Sequence, residues 1–100
     1  MMNKFRTYNL AVTFYREVKN LQLPCHLRDQ LVRAASSIVL NLAEGHGKLT
    51  VPDRRKFFRI AFGSIRECQA ICEIGEISPQ IVAQLDRLAG SAYKLVRALE

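Results

Sequence analysis

One hundred residues with a formal charge of +6 and 49% apolar side chains make one domain, residues 1–100, with enough apolar material for a true core and little room for a second domain. No uncharged apolar run is long enough to span a membrane. Met1 to Phe14 lacks the apolar block and small-residue cleavage site of a signal peptide, so a cytoplasmic location is expected.

Helical spacing appears four times along the chain, and no period-two strand pattern lasts more than a few residues. The first helix is predicted from about Thr7 to Asn20, with Leu10, Phe14 and Val18 on one stripe and Ala11 and Tyr15 beside it. Gln22-Leu23-Pro24 breaks it, since proline lacks the donor and clashes with the preceding turn. The second helix covers about Cys25 to Glu44. Its seam is Leu27, Leu31, Ala34 and Ile38, with the polar Asn41 at the next seam position. Gly45 or Gly47 is expected to end it in a left-handed conformation. Thr50 and Asp53 are spaced as a capping box, with Pro52 in the first turn of the third helix. Phe58, Ala61, Ile65, Cys68, Cys72 and Gly75 form its heptad seam. Ser78 as N-cap and Pro79 at the first helical position open the fourth helix, whose seam is Ile81, Leu85, Leu88, Ala92, Leu95 and Leu99. Short joints force antiparallel neighbours, hence an all-α, up-down-up-down, left-handed four-helix bundle.

A turn near residues 48–49 gives facing positions on helices two and three that sum to roughly 97. Ala34 and Ala35 then face Gly63 and Ser64, and Glu44 falls near Arg54 as an expected ion pair. Outside the seam the third helix stays apolar, at Ile60, Gly63, Ala70 and Ile74. A helix apolar on most sides is normally covered on most sides, so Ile60, Ala70 and Ile74 are the expected subunit interface of a homo-oligomer.

The charge is unevenly placed. Residues 46–66 carry Lys48, Arg54, Arg55, Lys56, Arg59 and Arg66 against Asp53 alone, a net +5, whereas residues 67–100 net −2. Such a cluster attracts polyanions, nucleic acid above all, although a solvated basic face has the same composition. Arg55, Arg59 and Arg66 share one flank at i, i+4 and i+11, so Lys48, Arg54, Arg55, Arg59 and Arg66 are the candidate phosphate-binding residues. Phe57, Phe58 and Phe62 are the aromatic groups nearest them, and their spacing buries them. Base-specific recognition is therefore not expected.

Catalytic and metal chemistry find little support. Gly45-His46-Gly47-Lys48 lacks phosphate-loop spacing and follows a helix rather than a strand. There is no Glu-x-x-His pair for a di-iron site. His26 and His46 stand about 30 Å apart along one helix. Cys68 and Cys72 occupy one seam as small hydrophobes, with Cys25 near Cys72 by register. Cys25, Cys72 and His26 could supply metal-ligand atoms, but their spacing matches no zinc motif, and an odd cysteine count in a cytoplasmic chain points to free thiols. No cofactor, metal or enzyme activity is expected. Asn41 and Glu44 are assigned structural roles, Asn41 as a buried amide that fixes helix register.

Gln30-Leu31, Arg33-Ala34-Ala35, Ser37-Ile38 and Asn41-x-Ala43-Glu44-Gly45, followed by Ile60-Ala61-x-Gly63-Ser64 and Glu67, resemble the signature of the four-helix bundle proteins first noticed in ribosomal-RNA intervening sequences. That family also includes accessory proteins of diversity-generating retroelements. Val39 stands where many relatives have proline, and the first helix lacks their common tryptophan. The resemblance implies a ring-shaped homo-oligomer, commonly a pentamer. Its retroelement relatives bind a reverse transcriptase and its RNA through basic oligomer surfaces. The expected function is a non-catalytic, homo-oligomeric accessory protein that binds nucleic acid, with RNA as the expected class and a reverse transcriptase as a further partner. The alternative is a protein-interaction scaffold without nucleic-acid binding.

Overall fold

The breaks at Pro24, at the glycine-containing joint and at Ser78-Pro79 all separate helices. The computed structural model describes residues 5–100, which form α1 (Arg6–Val18), α2 (Cys25–His46), α3 (Val51–Ile74) and α4 (Pro79–Ala98), with no strand among the described residues. The helices form a bundle measuring 41 × 23 × 21 Å. Consecutive helices pack together, and α1 closes against α4. Phe5, before α1, stacks on His46 at the end of α2. Thr7 meets Ser91 late in α4, and Arg55 early in α3 reaches Leu99. Neighbouring helices therefore run antiparallel.

The core is a single cluster: Ala11, Phe14 and Val18; Leu31, Ala34, Ala35, Ile38 and Leu42; Phe58, Ala61, Ile65, Cys68, Ile71 and Cys72; and Ile81, Leu85, Leu88, Ala92 and Val96. The core departs from the predicted seams in α1, α2 and α4. In α2 the seam passes from Ile38 to Leu42, leaving Asn41 half-buried beside it. At 3.6 residues per turn a straight helix drifts about 20° per heptad, which brings Leu42 inward in place of Asn41. In α4 Val96 is buried, whereas Leu95 and Leu99 are only half-buried because they edge an open cavity at that end of the bundle. In α1 Thr7 is buried, its hydroxyl satisfied by Ser91 Oγ at 2.6 Å.

The joint between α2 and α3 also differs from expectation. Gly45 does not end α2; it lies buried within the last turn, where it admits the Phe58 ring. The helix continues through His46, and Gly47 caps it with φ −84°, a right-handed rather than left-handed conformation. The extended helix moves the register: Ser37 Oγ pairs with Ser64 Oγ at 2.9 Å, and Arg33 pairs with Glu67. Facing residues thus sum to about 100 rather than 97, and Gly63 lies exposed on the outside instead of against Ala34.

Thr50 caps α3 as predicted, accepting the Asp53 N–H on Oγ1 at 3.3 Å. The far end of α3 closes in a Schellman motif. Ile77 N–H donates to the Cys72 carbonyl at 3.1 Å and Glu76 N–H to the Glu73 carbonyl at 3.4 Å. The left-handed position of this motif falls on Glu76 (φ 51°), one residue after Gly75. Ser78 and Pro79 open α4 at the predicted residues, although the Ser78 hydroxyl makes no capping bond.

Candidate nucleic-acid interface

The start of α3 and the ends of α2 and α4 meet at one end of the bundle, which gathers Lys48, Arg54, Arg55 and Arg59, while Arg66 lies further along α3. Folding assigns most of them a partner inside the chain. Arg54 Nε donates to the Lys48 carbonyl at 2.8 Å, and Arg55 Nε donates to the Leu99 carbonyl at 2.9 Å. Both serve carbonyls just beyond a helix C-terminus, where the last C=O groups lack intrahelical donors and the helix dipole favours a cation. Arg59 pairs with Glu100 at 3.7 Å, and Glu100 is shared with Arg97 at 3.6 Å. Lys48 pairs with Glu44 at 3.0 Å and stands 5.2 Å from the centre of the Phe57 ring, with Lys56 at 5.6 Å from the same ring. The expected Glu44–Arg54 pair is therefore replaced by Glu44–Lys48, one turn apart across the end of α2. Arg66 is exposed and makes no ion pair among the described residues.

These bonds leave capacity for a ligand. A guanidinium carries five N–H donors, and the carbonyl bonds of Arg54 and Arg55 each use only Nε. The contacts hold both side chains in place, so little side-chain entropy remains to be lost when a phosphate arrives. The predicted strip of Arg55, Arg59 and Arg66 is consequently uneven. Its first two members are tied to the C-terminal end of α4, whereas Arg66 has no ion pair among the described residues.

The outward stripe of α3 remains uncovered. Ile60 is 43% exposed and Ile74 is 69% exposed, with Gly63 and Ala70 exposed between them. Phe62 and Ile71 do not join it: Phe62 packs on Tyr93, ring centres 6.1 Å apart, and Ile71 is buried. Leu40, Leu49 and Val51 add exposed apolar surface on α2 and at the α2–α3 turn.

Asn41 makes its bonds within α2. Its amide donates to the Ser37 carbonyl at 2.9 Å and to Ser37 Oγ at 3.1 Å. Through Ser37 and Ser64 it belongs to a polar chain linking α2 to α3, rather than acting as a seam amide that meets another helix directly.

The three cysteines are free, with Cys25 exposed and Cys68 and Cys72 buried. Among the described residues no three His, Cys, Asp or Glu side chains gather to hold a metal ion. Burial, reinforced by neighbouring Cys72 and Glu67, pushes the Cys68 thiol up to about 12. Burial and then Asp86 raise Cys72 as well. No helix among the described residues is long and apolar enough to cross a membrane.

Sequence reasoning missed two residues at the basic end, Phe5 and His46. Their rings stack with centres 4.8 Å apart, and Phe58 lies 6.0 Å from Phe5. His46 follows a glycine at the end of a helix, and nothing in the local pattern reveals that Phe5, 41 residues earlier, folds onto it.

The chain matches the model of the 23S rRNA-intervening sequence protein family over residues 4–99. Comparison with curated proteins gives no match. The match spans nearly the whole chain and agrees with the four-helix architecture: this protein belongs to the 23S rRNA-intervening sequence protein family.

Proposed function

We propose that this protein is a homo-oligomeric accessory protein that holds RNA by its phosphates and carries out no chemistry of its own. The observation that carries the reading is the concentration of Lys48, Arg54, Arg55, Lys56, Arg59 and Arg66 at one end and along one helix. The family description refers to an intervening sequence of 23S rRNA, which makes RNA the first class of nucleic acid to test. Oligomerisation through Ile60, Ala70 and Ile74 would repeat the cluster. Repetition raises the effective concentration for each later contact, so a weak single site becomes a firm multivalent one. A reverse transcriptase is a further partner suggested by the retroelement relatives that the sequence resembles.

The scaffold reading keeps one specific observation in its favour. Arg54, Arg55 and Arg59 each have a partner within the chain, so their charge also serves the fold. The discriminating variant therefore leaves those three in place and reverses Lys56 and Arg66 to Glu. RNA affinity should fall while the thermal midpoint holds. Light scattering should give a mass above that of one chain, and Ile74→Asp should lower both the mass and the RNA affinity. No measurable RNA binding by the parent chain would favour the scaffold.

A further inference from the structure

Resting on the phosphate-binding reading, we infer that the cavity at the basic end receives one unpaired nucleobase of the bound strand. The cavity has a volume of about 300 Å³ and is lined by Phe5, His46, Arg54, Phe58, Leu95 and Leu99. That volume lies at the lower end of small-ligand pockets, ~300–1,000 Å³. It lies where the start of α1, the end of α2, the start of α3 and the end of α4 converge, and it explains why Leu95 and Leu99 remain half-buried at seam positions.

The lining chemistry selects the occupant. Phe5 and His46 offer stacked aromatic rings, and Phe58, Leu95 and Leu99 complete an apolar wall. An aliphatic ligand would suit the wall but would gain nothing from the cations around it. A free phosphate would suit the cations but would lose its hydration against the wall. A nucleobase joined to its own phosphate satisfies both, with its planar face on the rings and the adjoining phosphate on Arg54. Arg54 lines the cavity, and its Nε is already anchored on the Lys48 carbonyl at 2.8 Å, leaving its terminal N–H groups for the anion.

Base–aromatic stacking tolerates every base, because every base has a π face. The wall offers few polar groups to read a Watson–Crick edge, so the site should discriminate little among bases and favour purines only through their larger stacking area. A base inside a continuous duplex cannot enter without leaving its stack, whereas a bulged, looped or terminal base is already free. The site therefore reads whether a base is unpaired rather than which base it is.

The test compares a fully paired RNA duplex with the same duplex carrying one bulged 2-aminopurine, each titrated with the full chain. The bulged duplex should bind about five-fold or more tightly, the equivalent of the weaker end of base–aromatic stacking. The 2-aminopurine fluorescence should fall on binding. His46→Ala should remove the preference, and His46→Phe, which restores an aromatic face, should retain it. Equal affinity for the two duplexes without a fluorescence change would overturn the inference and leave phosphate binding standing. Failure of both duplexes to bind would overturn the phosphate reading and the inference together. The fluorescence of the unaltered protein complex decides the matter even if His46→Ala proves unstable.

Discussion

Arg55 Nε donates to the Leu99 carbonyl at 2.9 Å across 44 residues of sequence. One charged, half-buried side chain thus ties the second turn of α3 to the C-cap of α4. Removing it would leave a carbonyl at the end of α4 without a donor. Arg55→Ala should therefore cost about 1 kcal/mol, within the range for a hydrogen bond to a charged group after allowance for partial exposure. Arg66→Ala, which removes an exposed cation with no ion pair among the described residues, should stay within about 0.5 kcal/mol. Urea unfolding of the two variants checks this, and equal losses would mean that the Arg55 contact contributes no stability.

Gly45 is defined by the close approach of α3. A Cβ at this position would meet Phe58 Cε1 at 2.6 Å, Phe58 Cδ1 at 2.8 Å and Phe57 Cβ at 3.1 Å. Alanine within a helix is worth up to about 1 kcal/mol over glycine, but overpacking a core typically costs about 1–3 kcal/mol. The clash wins, because the Phe58 ring is buried and the Phe57 Cβ sits next to the backbone. Gly45→Ala should lower stability by about 1 kcal/mol, and adding Phe58→Leu should cost less than the sum of the two single changes. Additive losses would show that the two residues are not coupled.

Glu76 presents the opposite case, a side chain where glycine is preferred. Its φ of 51° occupies the left-handed position of the Schellman motif that ends α3. A non-glycine residue there is strained by roughly 1 kcal/mol, and an acidic residue just past a helix C-terminus is disfavoured by the helix dipole. Glu76→Gly should raise the unfolding free energy by about 0.5–1 kcal/mol, read as a higher thermal midpoint. A lower midpoint would mean that Glu76 makes a favourable contact outweighing its backbone strain.

The thiols should separate cleanly by reactivity. Cys25 is exposed, whereas Cys68 is buried and pushed up to about 12 and Cys72 is also raised. Iodoacetamide at mildly alkaline pH should modify Cys25 quickly and the other two only as the chain opens. Linkage gives a second readout. Below the ordinary thiol value of 9.0 Cys68 is protonated in both states and has no effect; as pH rises from there toward about 12, the unfolded chain loses the proton first and stability falls. Cys68→Ala should flatten that alkaline decline, and an unchanged slope would remove Cys68 as its cause.

The local pattern revealed much of the fold and less of the site. Pro24, Thr50 with Asp53, and Ser78-Pro79 act through neighbouring backbone, so the element boundaries they set were legible. Asn41 and Leu42 could not be ranked from a heptad count, because the choice depends on the drift of a straight helix. Gly45 carried the right residue type for a helix terminator, but its role is set by Phe58 on another helix. The cations were visible as composition. Their partners, Leu99 for Arg55 and Glu100 for Arg59, lie more than 40 residues away and become neighbours only when α4 returns to the start of α3. The same return, together with the stacking of Phe5 on His46, creates a cavity that no local pattern encodes.

The most direct measurement is the affinity of the protein for a structured RNA as a function of salt, taken beside the Lys56→Glu, Arg66→Glu variant. Binding through phosphates releases counterions, so the logarithm of affinity should fall linearly with the logarithm of salt between about 50 and 200 mM, steepening by roughly 0.7–0.9 for each phosphate neutralised. The variant should bind more weakly at every salt concentration and show a shallower slope. An affinity indifferent to salt would contradict phosphate binding by the basic surface, and identical lines for the parent and the variant would remove Lys56 and Arg66 from it.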